Sequence, residues 1–175
     1  HHVRHTTPLL MTLGGRLPER LAGMRVAVAE YIKEEIGHEE WILNDIAAAG
    51  GDAEAVRKEQ PGLPAELMVA YAYDLISRGN PAGFFGMVHV LEGTSVALAL
   101  KAADRIQEAL GLPDNAFSYL RSHGTLDQEH TRYLADLLDQ MTPEDQAEVV
   151  RAARVFFKLY GDIFHSLPTA SQSCN

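Results

Sequence analysis

The sequence predicts an all-α fold in a single domain spanning residues 1–175. Three observations predict it. Apolar residues recur at spacings of three and four over long stretches, which is the period of a helix. Alternating β-branched runs between turn residues, the mark of strands, are essentially absent. Glycine pairs and prolines punctuate the chain at intervals that suit helix stops and starts.

Taken in order, a first helical piece is expected from about Val3 to Leu13, stopped by Gly14-Gly15. A second starts near Pro18, a favoured first-turn residue, and continues to Ala49 before Gly50-Gly51. A short charged segment from Asp52 to Gln60 follows, closed by Pro61 and Pro64. Pro64 opens a helix to about Ser77, and Pro81 opens a long one to Leu110, with Gly83, Gly86 and Gly93 as weak points. The loop Gly111 to Asn115 carries polar residues able to cap a helix from about Asn115 to Met141. Thr142-Pro143-Glu144-Asp145 then starts a last helix ending near Leu167, and residues 168–175 are expected to form a loose polar tail. The pattern amounts to six or seven helices without repeat or linker.

Composition narrows the function classes. Fifteen basic against 24 acidic residues give a formal charge of −9, so no basic footprint for nucleic acid or anionic membrane is present. No run reaches the ~18 uninterrupted apolar residues of a membrane span. The single cysteine, Cys174, rules out an intrachain disulfide framework or a thiolate cluster and fits a reducing, cytoplasmic compartment. No signal peptide is visible, and the start at His1-His2-Val3-Arg4-His5 reads like the interior of a helix with sequence missing before it.

The chemistry concentrates around Ser122-His123-Gly124-Thr125-Leu126-Asp127-Gln128-Glu129-His130. On a helix His123, Asp127 and His130 share one face, and extending that face reaches Ala116, Leu120, Leu134 and Leu137. Two imidazoles and a carboxylate thus interrupt a core-facing stripe. Buried polar groups need partners, and a metal ion satisfies all three at once. The blander reading is a buried His–Asp hydrogen bond with the second histidine near the surface.

Two other helices carry inward polar groups. With His38 at zero on a wheel of ~100° per residue, Glu35 falls at about +60° and Glu34 at about −40°. The apolar centre marked by Val28 and Ile46 lies at about +80°, which favours Glu35 over Glu34. Glu35-x-x-His38 also has the i, i+3 spacing of carboxylate-bridged metal sites in helical bundles. Glu92 interrupts the apolar stripe Phe85, Val96, Ala99 and Ala103, with His89 flanking it. Each of these alone is ordinary. Together, three imidazoles and three carboxylates suit two first-row ions, with iron or manganese favoured over copper and structural zinc disfavoured without thiolates.

Glu-Glu-Ile-Gly-His-Glu-Glu-Trp, Leu-Glu-Gly-Thr-Ser and His-x3-Asp-x2-His, in that order, resemble the haem-oxygenase-like diiron oxidases and oxygenases, relatives of the thiaminase-like TenA proteins and the quinone synthase PqqC. The resemblance implies a haem-oxygenase-like bundle of about seven helices with two iron ions (Fe2+) in its core. It implies that Glu35 and His38 hold one iron with His123, that Asp127 and His130 hold the other, and that Glu92 bridges. Some relatives place a carboxylate where this chain has Tyr31, which the resemblance then implies is a redox-active or substrate-gating neighbour, the alternative being a plain core tyrosine. The implied activity uses dioxygen to oxidise a small-molecule substrate by N-oxygenation, desaturation, decarboxylation or carbon–carbon cleavage, in a possible homodimer. Phe84, Phe85, Met87, Phe156, Phe157 and Tyr160 are candidate pocket walls, although each such residue is more often plain core than substrate contact. A haem oxygenase would leave five of the groups without purpose, with His5 its only candidate proximal ligand. A thiaminase-like hydrolase would need a core cysteine. A non-enzymatic metal-binding or regulatory protein, or a metal-free relative of TenA and PqqC, remains the alternative.

Overall fold

In the computed structural model, residues 1–168 are described, with side chains for all of them except residues 124–133. Eight α-helices are present among the described residues: α1 Thr6–Arg16, α2 Ala22–Glu35, α3 His38–Ala48, α4 Ala53–Lys58, α5 Leu63–Arg78, α6 Phe84–Leu110, α7 Ser118–Leu138 and α8 Pro143–His165. Single turns of 3-10 helix precede α1, α2, α6 and α7. No strand occurs among the described residues.

The core forms where apolar stripes of α1, α5, α6 and α8 meet. Leu9, Leu10 and Leu13 of α1 pack with Met68 and Ile76 of α5, Phe84 and Phe85 of α6, and Phe156 of α8. The long α6 is the spine, lying against α7 on one side and α8 on the other. By length and composition it could cross a membrane, but its apolar face is packed inside the bundle. Gly86 permits the α6–α8 contact, since a Cβ there would lie 2.6 Å from both Ala153 N and Val149 O. No side chain fits so near a neighbouring backbone. Far from being a weak point, Gly86 is a packing requirement of an unbroken helix.

Two expected boundaries need correction. Gly14 and Gly15 do not stop α1, which runs through them to Arg16. Glycine costs an isolated helix roughly 1 kcal/mol, and the buried leucines of α1 offset that here. The second long helix is not continuous. Ile36 is extended with ψ 120° and Gly37 adopts φ 92°, so α2 ends at Glu35 and α3 starts at His38. A wheel drawn through both helices was therefore the wrong frame, although it selected Glu35 correctly as the inward carboxylate. Glu35 is 8% exposed, whereas Glu34 faces outward. The break and the short α4 account for eight helices rather than six or seven.

Candidate metal centre

The turn at Gly37 places Glu35 on the last residue of one helix and His38 on the first residue of the next. Glu35 Oε2 lies 3.2 Å from His38 Nδ1. From α7, His123 brings its Nε2 to 3.1 Å from the same His38 Nδ1. All three residues are buried, and their ligand atoms lie within 4.8 Å of one another.

Proton counting shows what this cluster wants. His123 Nδ1 lies 2.8 Å from the Tyr119 carbonyl oxygen. A carbonyl only accepts, so Nδ1 carries the proton and Nε2 presents a bare lone pair. Glu35 Oε2, His38 Nδ1 and His123 Nε2 thus converge on one point, where a single cation could accept a lone pair from each. Ligand atoms about 2.1 Å from an ion and at right angles are about 3.0 Å apart, close to the two short spacings here. Donation of the second ring N–H to a carbonyl is also the usual support of a metal-ligating histidine. A carboxylate at the negative end of α2 gains further from a nearby cation. The residues present fit a metal ion.

Aromatic rings hold the imidazoles in place. Trp41, the one tryptophan, tilts against His38 with centroids 4.3 Å apart. Tyr119 lies 4.0 Å from His123, 30° from parallel. Trp41 is itself 36% exposed, whereas His38 is buried.

Glu92 stands in α6, 4% exposed, and its Oε1 accepts a short hydrogen bond from the Tyr31 hydroxyl. It is not part of the Glu35–His38–His123 group. It does share a cavity with that group: a space of about 720 Å³ is lined by Tyr31, Glu35, Glu92, Tyr119 and His123. Such a volume suits a small organic molecule. The side chains of Asp127 and His130 lie outside those described. His89 is exposed on the cavity's rim rather than directed into the cluster.

Of the expected walls, Phe157 and Tyr160 line the cavity. Phe84, Phe85, Met87 and Phe156 do not; they belong to the buried core. The pocket instead draws on the helix positions beside them, including Leu91 and Leu98. His2 was missed by the pattern reading. It lines the cavity and meets the Tyr160 ring edge-on at 5.9 Å. Burial pushes its imidazolium down to about 4, so it is neutral at pH 7. Burial pushes the Tyr160 hydroxyl up. His5, the one candidate for a haem-binding histidine, instead approaches the Tyr73 hydroxyl at 3.4 Å.

Comparison with known proteins agrees with this architecture. A crystal structure at 2.30 Å resolution of a domain of unknown function from Shewanella denitrificans OS217, described as having a heme oxygenase-like fold, superimposes with a TM-score of 0.85. The two share 26% sequence identity over 94% of this chain and 72% of that one. No curated protein matches the sequence. Residues 1–161 match the family described as iron-containing redox enzyme. A haem-oxygenase-like bundle with a buried Glu–His–His group is thus matched by family over nearly the whole chain, and the chain belongs to the iron-containing redox enzymes.

Proposed function

We propose that this protein is a non-haem diiron oxidase or oxygenase that uses dioxygen to oxidise a small organic substrate in the cavity beside Glu92. The observation that carries the reading is the convergence of Glu35 Oε2, His38 Nδ1 and His123 Nε2, with His123 Nδ1 donating to a backbone carbonyl. In the proposal these three residues hold one iron, Asp127 and His130 supply the second, and Glu92 bridges; manganese is the alternative occupant. Bound iron would supply one-electron redox chemistry and activation of dioxygen.

The chain's own groups have separable tasks. Glu35 and Glu92 are anionic oxygen ligands that favour a more highly charged ion. Tyr31 donates to Glu92 Oε1, which fixes the carboxylate's rotation and places a phenolic proton at the cavity wall. Leu91, Leu98 and Phe157 line the cavity with apolar surface against which an organic substrate could pack.

Anaerobic loading with ferrous iron tests the proposal. About two irons per chain and rapid oxygen uptake on mixing with air are expected. A haem spectrum, or one tightly held zinc, would overturn it. His130→Ala should lose one of the two irons while the circular dichroism spectrum stays helical. Full iron and full activity in that variant would remove the second site from the proposal.

A further inference from the structure

Two of the candidate ligands, His38 and His123, come from α3 and α7, and one carboxylate outside the candidate set bonds across these two helices. Asp45 lies on α3 seven residues after His38, which puts both on one face of the helix. It is 9% exposed. Its Oδ1 accepts from the Ser118 backbone N–H at 3.0 Å and from the Ser118 hydroxyl at 2.5 Å, and its Oδ2 accepts from the Tyr119 N–H at 2.8 Å.

Ser118 and Tyr119 are the first two residues of α7. Their amides belong to the four that every helix start leaves without an internal acceptor. Phe117, at the capping position, offers no side-chain acceptor, so the cap comes from another helix. The positive end of α7 in turn suits a buried carboxylate. Tyr119 is held at both ends of its backbone. Its N–H goes to Asp45, and its carbonyl accepts from His123 Nδ1. A continuous path therefore joins Asp45 to the bare Nε2 that faces His38.

We infer that Asp45 is a positioning residue for the candidate metal centre: by holding the first turn of α7 it sets the location of His123 relative to His38. It touches no ligand atom of the candidate site and acts through Tyr119. The inference rests on the metal reading above.

Cobalt(II), a spectroscopic stand-in for iron(II), tests it on the metal-free protein. Titrations follow the visible d–d absorption and the fluorescence of Trp41, whose ring lies against His38. Asp45→Asn is the informative variant. Its oxygen can still accept from Ser118, but its amide nitrogen sets a donor against the Tyr119 N–H. Asp45→Ala removes all three bonds. Both should weaken cobalt binding about 10- to 100-fold and change the absorption band. Asp145→Ala, a substitution at a buried aspartate on another helix, should lower the melting temperature while leaving affinity and band at wild-type values. Wild-type affinity and an unchanged band in Asp45→Asn would overturn the inference, and if Asp45→Ala does not fold that variant alone decides. An equal loss in Asp145→Ala would overturn it too, by showing that general loosening is enough. Failure of the wild type to bind cobalt would instead remove the metal reading itself.

Discussion

Asp45 and Asp145 are both buried acids engaged at a helix N-terminus, yet they do different work. Asp145 lies in the first turn of its own helix, α8, and is 1% exposed. Its carboxylate accepts from Arg20 at 3.1 and 2.7 Å, from Asn80 at 2.8 Å and from the Thr142 hydroxyl at 3.0 Å. It thereby joins three segments distant in sequence, and none of them carries a candidate ligand. Among the described residues the Asp45 carboxylate accepts from the start of α7, and the next turn of that helix carries His123. The first carboxylate is balanced by a guanidinium and the second by backbone amides. One fixes the packing of the fold, and the other fixes an angle inside the site.

The largest effect on stability should follow from Asp145→Ala. The substitution strands Asn80 and removes the partner of the half-exposed Arg20, at a cost of about 1–3 kcal/mol for the lost hydrogen bonds. For a chain of this size that is a drop on the order of 5 °C in Tm, readable by calorimetry, with cobalt binding unchanged. The same acid gives a pH signature. Hydrogen bonds from Arg20 above all, then from Asn80 and Thr142, hold its carboxyl below the ordinary 3.8 against the opposing effect of burial. A depressed folded-state value means the contribution is fully present above the unfolded value and is lost as pH falls through the folded one. The Tm difference between wild type and Asp145→Asn should thus be constant near neutrality and shrink below about pH 4. A difference that grew on acidification would break the assignment.

A smaller change in stability with a larger change at the site is expected at Gly37. Its φ of +92° costs a side-chain-bearing residue roughly 1–2 kcal/mol, although a Cβ would meet no atom within 4 Å. Gly37→Ala can relieve that strain only by turning the peptides between Glu35 and His38, which moves two candidate ligands apart. A fall of a few degrees in Tm with weakened quenching of Trp41 by cobalt is the expected result. Gly37→Asn should recover part of both, because asparagine tolerates the left-handed region better. Wild-type cobalt binding in Gly37→Ala would show that the turn is only a connector.

These sites also show how far the sequence was legible. Helical periodicity revealed the bundle, wheel geometry favoured Glu35 as the inward carboxylate, and Glu92, which alone reads as partly exposed, is read as inward only in combination with the polar groups on the other helices; both are buried. The helix break was hidden because the glycine lies between residues that read well on one wheel, and periodicity does not report a local φ. Asp45 left a faint signal in its seven-residue spacing from His38, but a carboxylate that caps a foreign helix has no local pattern. Asp145 was half legible. Thr142-x-x-Asp145 is a capping motif, with the Asp145 N–H donating to Thr142 Oγ1 at 3.2 Å. Arg20 and Asn80, distant along the chain, could not be inferred from it.

The smallest effect separates burial from charge. Glu40 lies on α3 with His38 and Asp45, and it forms a two-point ion pair with Arg57 of α4 at 2.6 and 2.8 Å. By distance alone this is a stronger contact than any that Asp45 makes to a backbone amide, and Arg57 holds the Glu40 carboxyl below its ordinary value. Both side chains are nonetheless well exposed, at 50% and 40%. Water and salt compete for each charge, and ordering two long side chains offsets what the pair gains. Glu40→Gln should therefore melt within error of wild type and bind cobalt as wild type does. Should it lose as much cobalt affinity as Asp45→Asn, the net negative charge of α3 would be the determinant. The contrast between the buried aspartates would then have to be restated in terms of field rather than position.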